Sequence, residues 1–236
     1  MKIPDTIHVL GFTKNPEALL RTCREVERVG FKAEPFWNFP TPFTPFIQRN
    51  LANPNKFIRR NAAFVNSGYG HYAILKTAYE LGKMPVFIVE DDCRFLKDVQ
   101  KLRTGLEKIP DDADLVLLDS SRPGTIAPPE FSRQIGAAKD GWAKVGGARS
   151  AAAYICSEKC AKALFRKIEA GATGGYVRVF DQWFDTPRLD GCTIYCAVPN
   201  LAIQQDAPNP SARQSPMDMN ARYRSERLDF NDYALW

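Results

Sequence analysis

The sequence predicts an α/β fold with a mostly parallel central sheet flanked by helices. Two observations carry this expectation. Apolar runs rich in β-branched residues recur at 6–12, 86–89, 113–119, 150–156 and 191–199. They are too short for buried helices and too continuous for strands with one wet face, so they read as strands buried on both sides. Stretches with helical spacing lie between most of them, which is the order of strand–helix–strand units. Ligands of such sheets bind at the carboxyl ends of the strands.

The elements follow in order. TIHVLGF (6–12) is the first strand, and a helix is expected from about Pro16 to Val29. FKAEPFW (31–37) is a second strand, placed at an edge by Pro35, which cannot donate to a ladder. NFPTPFTPF then carries a proline every two or three residues and reads as a rigid loop or a flap over a site. Apolar positions from Tyr69 to Leu81 give an amphipathic helix that Gly82 stops, directly before the strand MPVFIVEDD. A further helix spans about 97–108, ADLVLLD (113–119) is another buried strand, and a loop with several Gly and Pro runs to Gly147. SAAAYIC (150–156) leads into a helix with Ser157 as N-cap, and GCTIYCAVP (191–199) is a late strand. Residues 1–206 are expected to form one domain and 207–236 an extended, Arg-rich tail.

With 236 residues, 44% hydrophobic and 25% charged, the chain is long enough to bury a real core. No stretch approaches the ~18 apolar residues of a membrane span. The N-terminus MKIPDTIHVLGF has its proline too early and its apolar run too short for a secretory signal, so a cytoplasmic protein is expected. The net charge of +5 is compatible with phosphate-bearing substrates, anionic surfaces or nucleic acid and selects none of them. Cys156 and Cys160, and Cys192 and Cys196, are spaced more widely than zinc knuckles, so the six cysteines are expected to be free, buried thiols.

The feature that carries chemistry is Glu90-Asp91-Asp92 at the end of a buried strand. Three adjacent carboxylates repel one another unless a positive partner sits among them. The acids could cap the next helix or pair with Arg94 and Lys97. Alternatively a hard divalent cation, Mn2+ or Mg2+, takes carboxylate oxygens and completes its shell with substrate phosphates. Strand geometry puts Glu90 and Asp92 on one side and Asp91 on the other. P-loop, dinucleotide and G-x-S-x-G motifs are absent, and two histidines, His8 and His71, are too few for a histidine-built zinc hydrolase. Metal-assisted transfer involving a phosphorylated substrate survives.

Several segments in order resemble glycosyltransferase family 25, the lipooligosaccharide and procollagen galactosyltransferase group. They are GYGHYAILKTAYELGKMPVFIVEDDCRF, DADLVLLDSS, GGARSAAAYICSEKCAKALF, FDQWFD and VPNLAIQQDAPNPSARQS, together covering roughly residues 60–215. Gly70 stands where the family has serine before His71, and IHVLGFTKNPE lacks the family's Asn-Leu and following Arg. The resemblance implies a GT-A-like domain and a metal-dependent, inverting transfer of a hexose from a nucleotide sugar, UDP-linked. The metal would be held mainly by Asp92, with Glu90 or Asp91 assisting. Gly11, Phe12 and Thr13 would contact the donor, and His71 either contacts the donor diphosphate or is a hydrogen-bonded core histidine. Inversion needs a general base, for which Asp181 in the Asp-x-Trp element, Asp185 and Asp119 are candidates. Trp183 is either a flat surface for a sugar ring or core packing, and Gln204 or Gln205 is either a surface amide or completes the metal or phosphate shell.

The acceptor implied is a glycan or a hydroxylated protein side chain. A hydroxymethylated DNA base is an alternative, suggested by the basic tail SARQSPMDMNARYRSER. Readings of other classes are a non-catalytic nucleotide- or glycan-binding protein on a transferase fold and a metal-dependent phosphohydrolase.

Overall fold

The computed structural model describes residues 1–12, 16–38, 62–119, 138–147, 150–173, 180–184, 189 and 191–204. Among them the chain runs β1 (Thr6–Phe12), α1 (Pro16–Arg28), β2 (Lys32–Asn38), α2 (Ala62–Glu80), β3 (Val86–Glu90), β4 (Cys93–Phe95), α3 (Val99–Glu107) and β5 (Leu115–Leu117). It continues with β6 (Trp142–Val145), β7 (Ala153–Cys156), α4 (Glu158–Thr173), a 3-10 turn (Phe180–Trp183), β8 (Ile194–Ala197) and β9 (Ala202–Gln204). The proline-rich loop, the 120–137 stretch and the tail from 205 onward lie outside the described residues.

A seven-stranded sheet has the order β2-β1-β3-β7-β5-β8-β6, and β4 pairs with β9 in a separate two-stranded ribbon. β1, β2, β3, β5 and β8 run one way, whereas β7 is antiparallel to β3 and β5, and β6 to β8. The α/β class and the mostly parallel sheet are therefore observed. Pro35 stands on the edge strand β2, which pairs with β1 alone among the described strands.

Alternation along the buried strands builds two cores, one on each face. From β3, Phe87 and Val89 enter the layer with α1 and α3, while Val86 and Ile88 enter the layer with α2 and α4. β7 does the same: Ala153 and Ile155 join the first core, Tyr154 and Cys156 the second. Both faces are covered, which is why these strands read as unbroken apolar runs. No described helix is long and apolar enough to cross a membrane.

Three expectations need correction. The segment read as loop up to Gly147 contains β6, an edge strand whose Trp142 Nε1 donates to Gly105 O at 3.0 Å. Helix α2 starts at Ala62 rather than near Tyr69. Its Gly68 and Gly70 look like breakers in sequence, and Gly70 allows close approach: a Cβ there would lie 2.5 Å from Leu10 Cδ1. Finally, the extended geometry assumed for the whole acid triplet ends at Glu90, because Asp91 and Asp92 form the turn between β3 and β4. The expected cap on α4 is present, with Cys160 N donating to Ser157 Oγ at 3.2 Å.

Candidate functional site

The chain goes from β1 to β2 on one side and later places β3 on the other side of β1. The carboxyl ends of β1 and β3 therefore flank the point where strand order reverses, the usual position of a ligand crevice in an open α/β sheet. Leu10 of β1 registers with Glu90 of β3, so Gly11 and the acid turn face the same edge. The backbone of β5 joins this rim as well: Leu118 N donates to Ala153 O, and Leu201 N to Leu118 O.

Each acid of the triplet is held by a different element. Glu90 Oε1 accepts from Ser67 Oγ at 3.0 Å and lies 3.1 Å from His71 Nε2. Ser67 and His71 are four residues apart on α2, so both meet the same carboxyl from one helix face. His71 Nδ1 lies 3.0 Å from Tyr154 Oη, and the imidazole stacks on Phe180 with centroids 4.5 Å apart. Burial works to raise the Glu90 pKa, but the hydrogen bond and charge of His71, with Ser67, outweigh it and hold it below the ordinary value. Burial pushes the Tyr154 phenol well above its ordinary range, so it keeps its proton beside His71 Nδ1.

Asp91 turns its carbonyl toward α1, where it accepts from Thr22 Oγ1 at 2.7 Å. Asp92 faces the ribbon, and its Oδ2 accepts from Gln204 Nε2 at 2.8 Å. Its other oxygen, Oδ1, is buried without a hydrogen-bond partner among the described residues. Burial first, then the charges of Glu90 and Asp91, push the Asp92 carboxyl well above the usual range. Gln204 and the Arg94 guanidinium oppose that shift without cancelling it. Arg94 is itself buried, donates to Thr22 Oγ1 at 3.0 Å and to Cys93 O, and is lowered to about 10 by desolvation.

A buried carboxylate oxygen with no partner costs free energy unless something positive reaches it. Asp92 Oδ1 thus fits a hard cation. Among the described residues no three His, Cys, Asp or Glu side chains form a metal-holding group. An ion here would draw on one or two carboxylates plus substrate oxygens, which suits Mg2+ or Mn2+ rather than zinc.

The remaining expected site residues divide clearly. His71 is fully buried and committed through both nitrogens, so it supports Glu90 rather than touching a donor diphosphate. Trp183 is 8% exposed and belongs to the core between the sheet and α2 and α4, so its ring is packing and not a sugar platform. Asp119 is fully buried, accepting from Asn200 Nδ2 and Ser150 Oγ, each at 3.1 Å. It ties the ends of β5, β7 and β8 together and is poorly placed to reach a substrate hydroxyl. Asp181 is partly exposed in the 3-10 turn, next to the Phe180 ring that stacks on His71. Gly11 is buried against Leu19 at the end of β1. The Phe12 side chain, Thr13, Asp185 and Gln205 lie outside the described residues.

Sequence reasoning named Arg94 as a partner of the acids but missed Ser67 and Thr22 at the acid turn and Tyr154 as the partner of His71. Only Ser67 carried a readable signal, its i, i+4 spacing to His71. The cysteines are all free thiols, and the Cys160 thiol lies against those of Cys156 and Cys192 without forming a metal-holding group among the described residues. Comparison with protein-family models gives no match, and comparison with curated proteins gives none either.

Proposed function

We propose that the protein is a metal-dependent, inverting glycosyltransferase on a GT-A-like domain. It moves a hexose from a nucleotide sugar, UDP-linked, to a hydroxyl of a glycan or another hydroxylated acceptor. The observation that carries this reading is Asp92 Oδ1, buried and unpaired beside two further acids at the switch point of the sheet. The ordered set of segments resembling glycosyltransferase family 25 supports it from the sequence.

Asp92 would hold the cation through Oδ1, with Asp91 beside it on the same turn. Bound Mn2+ or Mg2+ supplies the positive charge that offsets the diphosphate as the glycosidic bond breaks. Gln204 keeps Asp92 Oδ2 occupied and leaves Oδ1 for the cation. Glu90 stays with Ser67 and His71 and adds negative charge rather than an Oε1 ligand. Asp181 accepts the proton of the acceptor hydroxyl as that oxygen bonds to the anomeric carbon and the nucleoside diphosphate departs.

A thermal-shift panel of nucleotide sugars with and without Mn2+ tests the proposal, because a ligand that binds only the native state raises its melting point. One donor should stabilise the protein only with the cation present, and that donor should be slowly hydrolysed. Stabilisation by no nucleotide sugar, with turnover of simple phosphate esters instead, would replace the transferase by a phosphohydrolase.

A further inference from the structure

The acid turn has no ladder of its own. The bonds of β3 end with Glu90 N donating to Ala152 O, and those of β4 begin at Cys93 opposite Gln204. Asp91 and Asp92 span the bend between these two sheets. The peptide that joins them sets where the Asp92 side chain departs, and its carbonyl is the one that Thr22 Oγ1 bonds at 2.7 Å.

Thr22 is one of two polar residues, with Glu25, on the buried face of α1. It is fully buried on α1, between Leu19 and Val26 of the core. A helical threonine commonly returns its hydroxyl to a carbonyl of the preceding turn. This one instead gives its proton to Asp91 O and takes one from Arg94 Nη1 at 3.0 Å. One hydroxyl therefore spans the turn, fixing the carbonyl that precedes Asp92 and the guanidinium two residues after it.

We propose that Thr22 is a positioning residue for the cation site, locking the Asp91–Asp92 peptide and the Arg94 guanidinium so that Asp92 Oδ1 points into the crevice. This rests on the metal-dependent reading above. Its consequence is a site organised by α1 before any donor arrives. Loss of the hydroxyl frees the Asp91–Asp92 peptide to rotate and removes one acceptor of the Arg94 guanidinium, loosening the geometry on both sides of Asp92. Partners of this kind typically contribute about 10–100-fold to metal affinity.

The test is titration of the full chain with Mn2+ alone, following free ion by electron paramagnetic resonance, for wild type, Thr22→Val and Thr22→Ser. Valine keeps the shape and removes both hydrogen bonds; serine keeps the hydroxyl. Thr22→Val should weaken Mn2+ binding about tenfold or more, and Thr22→Ser should bind as wild type does. With donor present, Thr22→Val should raise the Mn2+ concentration needed for half-maximal rate while the rate at saturating Mn2+ recovers. A purely structural threonine would not produce that split. Wild-type protein that binds no Mn2+, with or without nucleotide sugar, overturns the metal reading and this inference with it. Wild-type binding that Thr22→Val leaves unchanged overturns the inference alone. Should Thr22→Val not fold, Thr22→Ser still decides: retained affinity supports the role of the hydroxyl, and lost affinity overturns it.

Discussion

Gln204 Nε2 donates to Asp92 Oδ2 at 2.8 Å, joining residues 112 apart in the chain. The contact exists because β9 pairs with β4 and sets Gln204 opposite Cys93, the residue after Asp92. Leu201, at the start of this segment, packs closely on Gly105 of α3, where a Cβ would lie 2.9 Å from its methyls. Gln204→Leu should therefore leave Asp92 without its amide donor and weaken Mn2+ binding by about 10–100-fold. Calorimetric titration of both proteins checks this; equal affinities would remove Gln204 from the site.

Asp92→Asn is expected to abolish transfer and Mn2+-dependent nucleotide binding. Its effect on the metal-free fold has the opposite sign. The Asp92 carboxyl is raised above its unfolded value, so the wild-type fold is favoured while that group is protonated and loses stability as pH rises through the folded pKa. Without metal, Asp92→Asn should melt above wild type at neutral pH and converge with it in acid, below about pH 4 where unfolded aspartate protonates. Melting curves across pH decide it. Mn2+ binding to wild type should also release a proton and tighten with pH.

His71→Leu should destabilise the fold by about 2–4 kcal/mol, because it leaves the buried Tyr154 hydroxyl without its partner and the Glu90 carboxylate with Ser67 alone. Glu90 is lowered in the fold, so its contribution is present above the unfolded glutamate pKa and fades as pH falls through the folded one. The gap between wild type and His71→Leu in urea should accordingly narrow in acid.

Asp181→Asn is expected to reduce transfer by about 10²–10⁴-fold while nucleotide and metal still bind. Single-turnover kinetics with a donor-affinity measurement separate the two. Loss of nucleotide binding along with the rate would move Asp181 into the donor site, and no change in either would leave Asp185 as the base.

Thiol titration should find six free cysteines after denaturation and slow, incomplete reaction in the native state. Cys93, Cys156, Cys160 and Cys196 are buried, and burial raises the half-exposed Cys23 as well. Rapid native reaction at any of the four buried thiols would contradict the packing.

What the sequence by itself determined is the set of buried strands and the ends at which they carry acids. Continuous apolar runs of strand length must be buried on both faces, and that reading located β1, β3, β5, β7 and β8 without any tertiary knowledge. It also located Glu90, Asp91 and Asp92 at a strand end and singled out His71 and Gln204. Only the tertiary structure decided which of these groups meet. Strand order, with β7 inverted between β3 and β5, depends on non-local pairing that no local pattern encodes. The roles of His71 and Gln204 depend on which oxygen lies within about 3 Å of a nitrogen, a distance set by helix and ribbon packing across the sheet. The same packing submerged Trp183 and Asp119, because a side chain's exposure follows from what covers it and not from its own chemistry.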